Sequence, residues 1–205
     1  MKLVEECVLL DTGGAGESDA VVQALSEIRR AIDLVRWPPG TRHFYIFPES
    51  GKGRGQGNGV VPIKSEFMAA IRAMGWGREV PFPVAAASDG SAFGDMDASK
   101  SFGTDLFLVE WETGNISSSH RSLNKAAIGL VAREITGAVV IVPSAKLAPF
   151  LTDRIGNIRE LRSYFSLWNS VQVERGYLAV FCVEQDGVSI DVPRIPKGTD
   201  GRATN

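Results

Sequence analysis

The spacing of apolar residues along this chain switches repeatedly between a helical and a strand period. Residues 1–11 form a short apolar segment that runs into a turn at Asp11-Thr12-Gly13-Gly14. Ser18 then stands as the N-cap of a helix whose inward stripe is Ala24, Leu25, Ile28, Ala31, Ile32 and Val35. Trp37-Pro38-Pro39-Gly40 stops that helix, and residues 43–47, HFYIF, read as a strand. Pro62 suits the first turn of a second helix. Ile63, Phe67, Ala70, Ile71 and Met74 make its buried stripe, Gly75 its C-terminal stop, and Trp76 packs back on the core. Lys64 and Glu66 lie off the stripe and are expected in solvent, with Glu66 the one placed to turn toward an acidic centre.

The stretch that organises the rest is LFLVEWETGN, residues 106–115. Read as a strand, it puts Phe107, Val109 and Trp111 on one side and Leu106, Leu108, Glu110 and Glu112 on the other. The second face starts apolar and ends in two carboxylates, roughly 6–7 Å apart along the strand. Just upstream, FGDMDASKSFGTD carries Asp95, Asp97 and Asp105, with Met96 and Ala98 alternating with the first two acids. A short strand there, turning back around residues 99–104, forms a hairpin with 106–112 and brings Asp95 or Asp97 beside Glu110.

Downstream, one of Ser117, Ser118 and Ser119 is placed to cap a helix with Leu123, Ala126, Ala127, Leu130 and Val131 inward. Residues 138–143, AVVIVP, read as a buried central strand. Ser144 begins a short helix, and Asn157 with Glu160 resembles a capping box leading to Leu161, Tyr164, Phe165 and Trp168 on one face. Residues 177–183, YLAVFCV, are a further buried strand. No repeat or composition break divides the chain, so the order of elements predicts one α/β domain over residues 1–192 with a mixed central sheet flanked by helices. Residues 193–205 read as a flexible tail.

Composition narrows the chemistry. The chain has 205 residues, 44% hydrophobic and 22% charged, as soluble globular proteins do. No apolar run is long enough to span a bilayer, and the N-terminus does not read as a signal peptide, which predicts a cytoplasmic protein. Cys7 and Cys182 lie far apart in sequence in apolar surroundings, which argues for a reducing compartment and against a zinc site. His43 and His120 are the only histidines, so a His-rich metal centre is excluded. The formal net charge of −2 neither advertises nor excludes nucleic acid, because local patches attract phosphates and a metal offsets clustered acids. The glycine-dense GKGRGQGNG, residues 51–59, fails the P-loop pattern and reads as a flexible basic loop carrying Lys52 and Arg54.

An Asp on one strand and Glu-x-acid on the next is the arrangement used for metal-assisted phosphodiester hydrolysis. It is the logic of the PD-(D/E)xK nuclease core, with Glu112 here in place of the usual Lys. EWETGN followed by ISSSHRSLNKAAIGL resembles the type II restriction endonucleases of the BamHI, BglII and BstYI group. VPIKSEFMAAIRAMGW is similar to the helix ending in Gly-Trp that precedes their hairpin. AVVIVP and RIGNIRELRSYF fit their later strand and helix, so the resemblance covers about residues 50–170.

The resemblance implies a restriction-endonuclease-like fold and a sequence-specific endonuclease that needs Mg2+, or Mn2+ as a substitute. It also implies a homodimer cutting double-stranded DNA at a palindromic site. By position it makes Glu110 the metal-binding acid and Glu112 the water-positioning residue. Asp97 is the preferred first metal-binding Asp, with Asp95 second and Asp105 and Glu66 as further alternatives. Strand parity places Asp105 on the side of Trp111, away from Glu110. Asn115, Ser117 and Arg121 would meet DNA, and Lys52 and Arg54 would close around the duplex. A repair or nonspecific nuclease on the same core, or a catalytically inactive DNA-binding module, are the alternatives.

Overall fold

A computed structural model describes residues 1–51, 56–83, 93–152 and 154–197. Its frame is a six-stranded mixed sheet. In chain order the strands are β1 (Lys2–Thr12), β3 (Gly77–Val80), β4 (Met96–Phe102), β5 (Asp105–Trp111), β6 (Gly137–Pro143) and β7 (Gly176–Glu184). In space they run β1-β7-β6-β5-β4-β3. The central β5, β6 and β7 are parallel, and β1, β4 and β3 are antiparallel to their neighbours. A separate parallel pair joins β2 (Tyr45–Ile46) to β8 (Gly187–Val188). Of the strand expected over residues 43–47, only these two residues form one, and they lie outside the central sheet. The edge strand β3 has no apolar alternation; its pairing with β4 defines it.

The parallel strands read as continuous apolar runs because both of their faces are covered. Phe107, Val109, Trp111, Val139, Ile141, Ala179 and Phe181 pack against α1 (Asp19–Asp33) and α2 (Val61–Ala73). The alternate residues Leu108, Ala138, Val140, Val142, Leu178 and Val180 pack against α3 (Ile116–Val131), α4 (Ile158–Arg162) and α5 (Phe165–Asn169). Ser18 caps α1 by accepting the Val21 N–H, and Pro62 lies in the first turn of α2, as their positions predict. Gly75 ends α2 at φ +89, a backbone region open to glycine.

Several boundaries differ from expectation. Asn115, not a serine, caps α3: its Oδ1 accepts the Ser118 N–H at 3.1 Å. Val131 closes α3 on the exposed side rather than in the core. The expected face of Leu161, Tyr164, Phe165 and Trp168 is split between α4 and α5, leaving Tyr164 exposed. The hairpin of β4 and β5 turns in two residues, Gly103-Thr104, with Gly103 at φ +64, so β4 runs to Phe102 instead of turning from Ser99. The start of the expected tail is docked, with Ile195 fully buried.

Asn58 ties three distant segments together ahead of α2. It is fully buried; its Nδ2 donates to the carbonyls of Phe47 and Phe150, both at 2.9 Å, and its Oδ1 accepts the Ile195 N–H at 3.1 Å. Removing the amide orphans the buried Ile195 N–H and takes one of two bonds from each carbonyl, which keep the backbone N–H groups of Glu49 and Asn58. Asn58→Ala is therefore expected to cost roughly 2–3 kcal/mol, read as a lower urea midpoint. A loss under about 0.5 kcal/mol would mean that water takes over the contacts.

Candidate functional site

The regular ladder between β4 and β5 ends at Ala98 and Val109. Beyond it the strands exchange side-chain bonds. Trp111 N–H donates to Asp97 Oδ2 at 2.8 Å, and Asp97 N–H donates to Glu110 Oε2 at 3.2 Å. The strands thus part with two carboxylates occupying places that backbone carbonyls would otherwise fill. Glu112 follows immediately, held in line because its N–H donates to the Ile141 carbonyl of β6 at 2.8 Å.

Each acid has a further partner. Lys64, from α2, reaches Asp97 Oδ1 at 2.5 Å. Lys125, from α3, reaches Glu110 Oε1 at 2.9 Å and donates also to the Asp95 carbonyl at 3.0 Å. Ser122 Oγ, one turn before Lys125, donates to Glu112 Oε1 at 2.5 Å. The two lysines differ sharply in setting. Lys125 is 5% exposed and Glu110 6%, whereas the Lys64 side chain is 41% exposed.

The acids sit in a cleft of about 760 Å³. Helix α3 enters it because Asn115 starts the helix three residues after Glu112. The connecting segment is tightly packed: Gly156 N–H donates to the Gly114 carbonyl at 3.0 Å, and a Cβ on Gly156 would lie 2.8 Å from the Ile116 Cα. Only glycine allows that approach.

The charges are strained by burial. Desolvation pushes the Glu110 carboxyl up to about 7; the neighbouring Asp97 charge adds to the rise and Lys125 opposes it. Burial also raises Glu112, against the hydrogen bond from Ser122. Both acids therefore gain from additional positive charge. Among the described residues no group of three acid, cysteine or histidine side chains is drawn close enough to hold a metal as it stands. The donor chemistry nevertheless fits a hard divalent cation: carboxylate oxygens from two strands, desolvated and short of positive charge.

Asp97, Glu110 and Glu112 are thus brought together, and Glu110 is buried instead of running out into solvent. Asp95 lies at the cleft wall, with only its carbonyl bonded to Lys125. The other two alternative acids lie elsewhere. Asp105 sits at the far end of β5, bonded to Thr136 and Arg175, whose guanidinium holds its carboxyl below the usual range. Glu66 is exposed on α2 and does not line the cleft. Asn115 and Arg121 line the cleft, whereas exposed Ser117 lines a neighbouring hollow with His120 and Asn124. Lys52 and Arg54 lie outside the described residues.

Sequence reasoning missed Lys64, Ser122 and Lys125. Lys64 was expected in solvent because it lies off the apolar stripe of α2, yet that position aims it at Asp97. Ser122 and Lys125 are three apart, a one-turn pair bordering the apolar stripe of α3. Also missed is Glu79, a non-glycine residue at φ 48 that lines a second cleft with Lys64 and Asp97.

Comparison with known proteins adds independent information. The family model of restriction endonuclease BamHI matches residues 1–202. The type II restriction enzyme OkrAI of Oceanobacter kriegii is 43% identical over 203 residues, covering 99% of each chain. The type II restriction enzyme BamHI of Bacillus amyloliquefaciens is 35% identical over 187 residues, covering 88% of this chain and 83% of that one. The crystal structure of restriction endonuclease BglII complexed with a DNA 16-mer superposes with a TM-score of 0.62, over 89% of this chain and 79% of that one. At 12% identity that likeness bears on the fold alone.

The raised Glu110 carboxyl has a thermodynamic consequence. An acid whose folded value lies above its ordinary 4.5 contributes stability that is fully present below about 4.5 and is lost as pH rises through about 7. In EDTA, the parent chain is expected to lose stability relative to Glu110→Gln between pH 5 and pH 8, by up to about 3 kcal/mol. Urea midpoints across that range measure it. Parallel curves for the two proteins would mean that Glu110 is ionised throughout.

Proposed function

The chain belongs to the BamHI family of type II restriction endonucleases, and from that membership we propose that it cuts double-stranded DNA at a specific palindromic site. It acts as a homodimer in the cytoplasm, with Mg2+, or Mn2+ in its place, as cofactor. Two-fold protein symmetry matches the palindrome, each subunit cutting one strand. No helix among the described residues is long and apolar enough to cross a membrane.

The observation that carries this reading is the meeting of Asp97 and Glu110 where β4 and β5 part, inside the cleft. In it, Asp97 and Glu110 would supply oxygen ligands to the cation. The bound cation would acidify a water and offset the charge that develops on the phosphorane. Glu112 takes the proton of the attacking water as the water oxygen bonds to phosphorus. The opposite phosphorus–oxygen bond to the sugar breaks, and the leaving oxygen is protonated from solvent. Ser122 holds Glu112 by donating to its Oε1.

The duplex is held by charge and by the start of α3. Asn115, Ser117 and Arg121 meet the DNA there, where first-turn N–H groups and a guanidinium suit phosphate oxygens. Lys52 and Arg54 add positive charge for the duplex.

Digestion of plasmid DNA tests the reading. Discrete fragments are expected with Mg2+ and none in EDTA. Glu110→Ala and Asp97→Asn should each lower the cleavage rate by more than about a hundredfold, beyond the loss typical of a ligand's supporting partner. Gel shifts in EDTA should still detect the duplex. A smear of random products would point to a nonspecific nuclease on the same core, and unimpaired cutting by Glu110→Ala would remove the acidic centre from the mechanism.

A further inference from the structure

Two lysines reach the acidic pair, and their surroundings are opposite. Lys64 comes from α2 and, among the described acids, is bonded to Asp97, with 41% of its side chain exposed. Its head group has water to turn to, and Asp97, although only 15% exposed, keeps the Trp111 N–H when Lys64 leaves. Lys125 cannot leave so easily. It rises from the buried side of α3, is 5% exposed, and is bonded both to Glu110 Oε1 and to the Asp95 carbonyl. Moving it would strand a buried ammonium, a buried carboxylate and a backbone carbonyl together.

Those two bonds also fix geometry. Asp95 lies at the approach to β4 and Glu110 on β5, so one ammonium clamps the parting strands on the far side from Lys64. Glu110 is gripped at Oε1 by Lys125 and at Oε2 by the Asp97 N–H. Its carboxylate is therefore oriented before anything else binds.

We infer that Lys125 is the positioning residue of this centre, remaining on Glu110 through cation binding and turnover, while Lys64 is a displaceable counter-ion that releases Asp97. The inference rests on the metal-dependent reading given above. It assigns the fixed positive charge of the site to α3, not to the acid-bearing strand.

Removal of the two lysines separates this from a bystander role by sign. A lysine that only competes with the cation would, once removed, let the cation bind more tightly. A lysine that aims a ligand would, once removed, loosen binding by about tenfold or more. Calorimetric titration of the free protein with Mn2+ alone, at fixed pH, is the experiment. Lys64→Met is expected to bind Mn2+ more tightly than the parent and Lys125→Met about tenfold more weakly, with urea midpoints verifying that both are folded. Should Lys125→Met fail to fold, Lys125→Arg carries the test. It keeps the charge, so a bystander role leaves the affinity unchanged, whereas misplacement of the longer head group loosens it.

Equal or tighter binding by the Lys125 variants would overturn the inference, as would loosening by Lys64→Met. Absence of Mn2+ heat in the parent chain would instead strike at the metal-dependent reading itself, and would take the inference with it.

Discussion

The structure turns on how two strands separate. Where β4 and β5 stop exchanging backbone hydrogen bonds, Asp97 and Glu110 continue the pattern with carboxylate oxygens. A parting of strands normally leaves N–H groups seeking partners. Here the Trp111 and Asp97 N–H groups find acids, which places two carboxyl groups in the lining of a cleft. The same event that ends the ladder builds the site. Burial makes those charges costly, and the lysines that answer them must come from outside the hairpin, one from a helix on each side of the sheet.

The layered fold makes that reach possible. Both faces of β5 are covered, so α2 lies over Trp111 on one side while α3 lies over Leu108 on the other. Phe67 of α2 rests on Trp111 with ring centroids 4.8 Å apart, and the same helix delivers Lys64. Helix α3 begins just beyond the end of β5 and returns along its far face, delivering Ser122 and Lys125 in adjacent turns. The cleft therefore opens at the carboxyl end of a parallel strand, where α/β sheets gather their ligands.

Much of this was legible in the sequence. The alternation of LFLVEW gave both faces of β5, and the Asp-Met-Asp-Ala pattern gave a hairpin partner with Asp95 or Asp97 beside Glu110, a choice that the family resemblance turned toward Asp97. Parity kept Asp105 away from the site, and the structure agrees. Those are short-range facts that a period of two carries. The lysines were not legible for a different reason. A lysine on the flank of a helix looks the same whether it meets water or a carboxylate from another element. Only the docking of α2 and α3 against the sheet decides it, and that is long-range information. The N-cap of α3 was misplaced for a related reason: three serines in succession outnumbered the one asparagine whose backbone was extended.

The distribution of exposure at the site also limits how it can work. In the cleft the buried Lys125 is bound to the buried Glu110, while the more exposed Lys64 holds the more accessible Asp97. A centre of this kind has an immobile half and a responsive half. Charge arriving in the cleft can draw Lys64 from Asp97 Oδ1 while Lys125 and the Asp97 N–H keep their hold on Glu110. With Glu112 just past the end of β5, the negative charge there exceeds what a lysine at the same position would leave. Placing Lys125 on the helix restores part of the balance from a direction that leaves the open side of the cleft to a ligand.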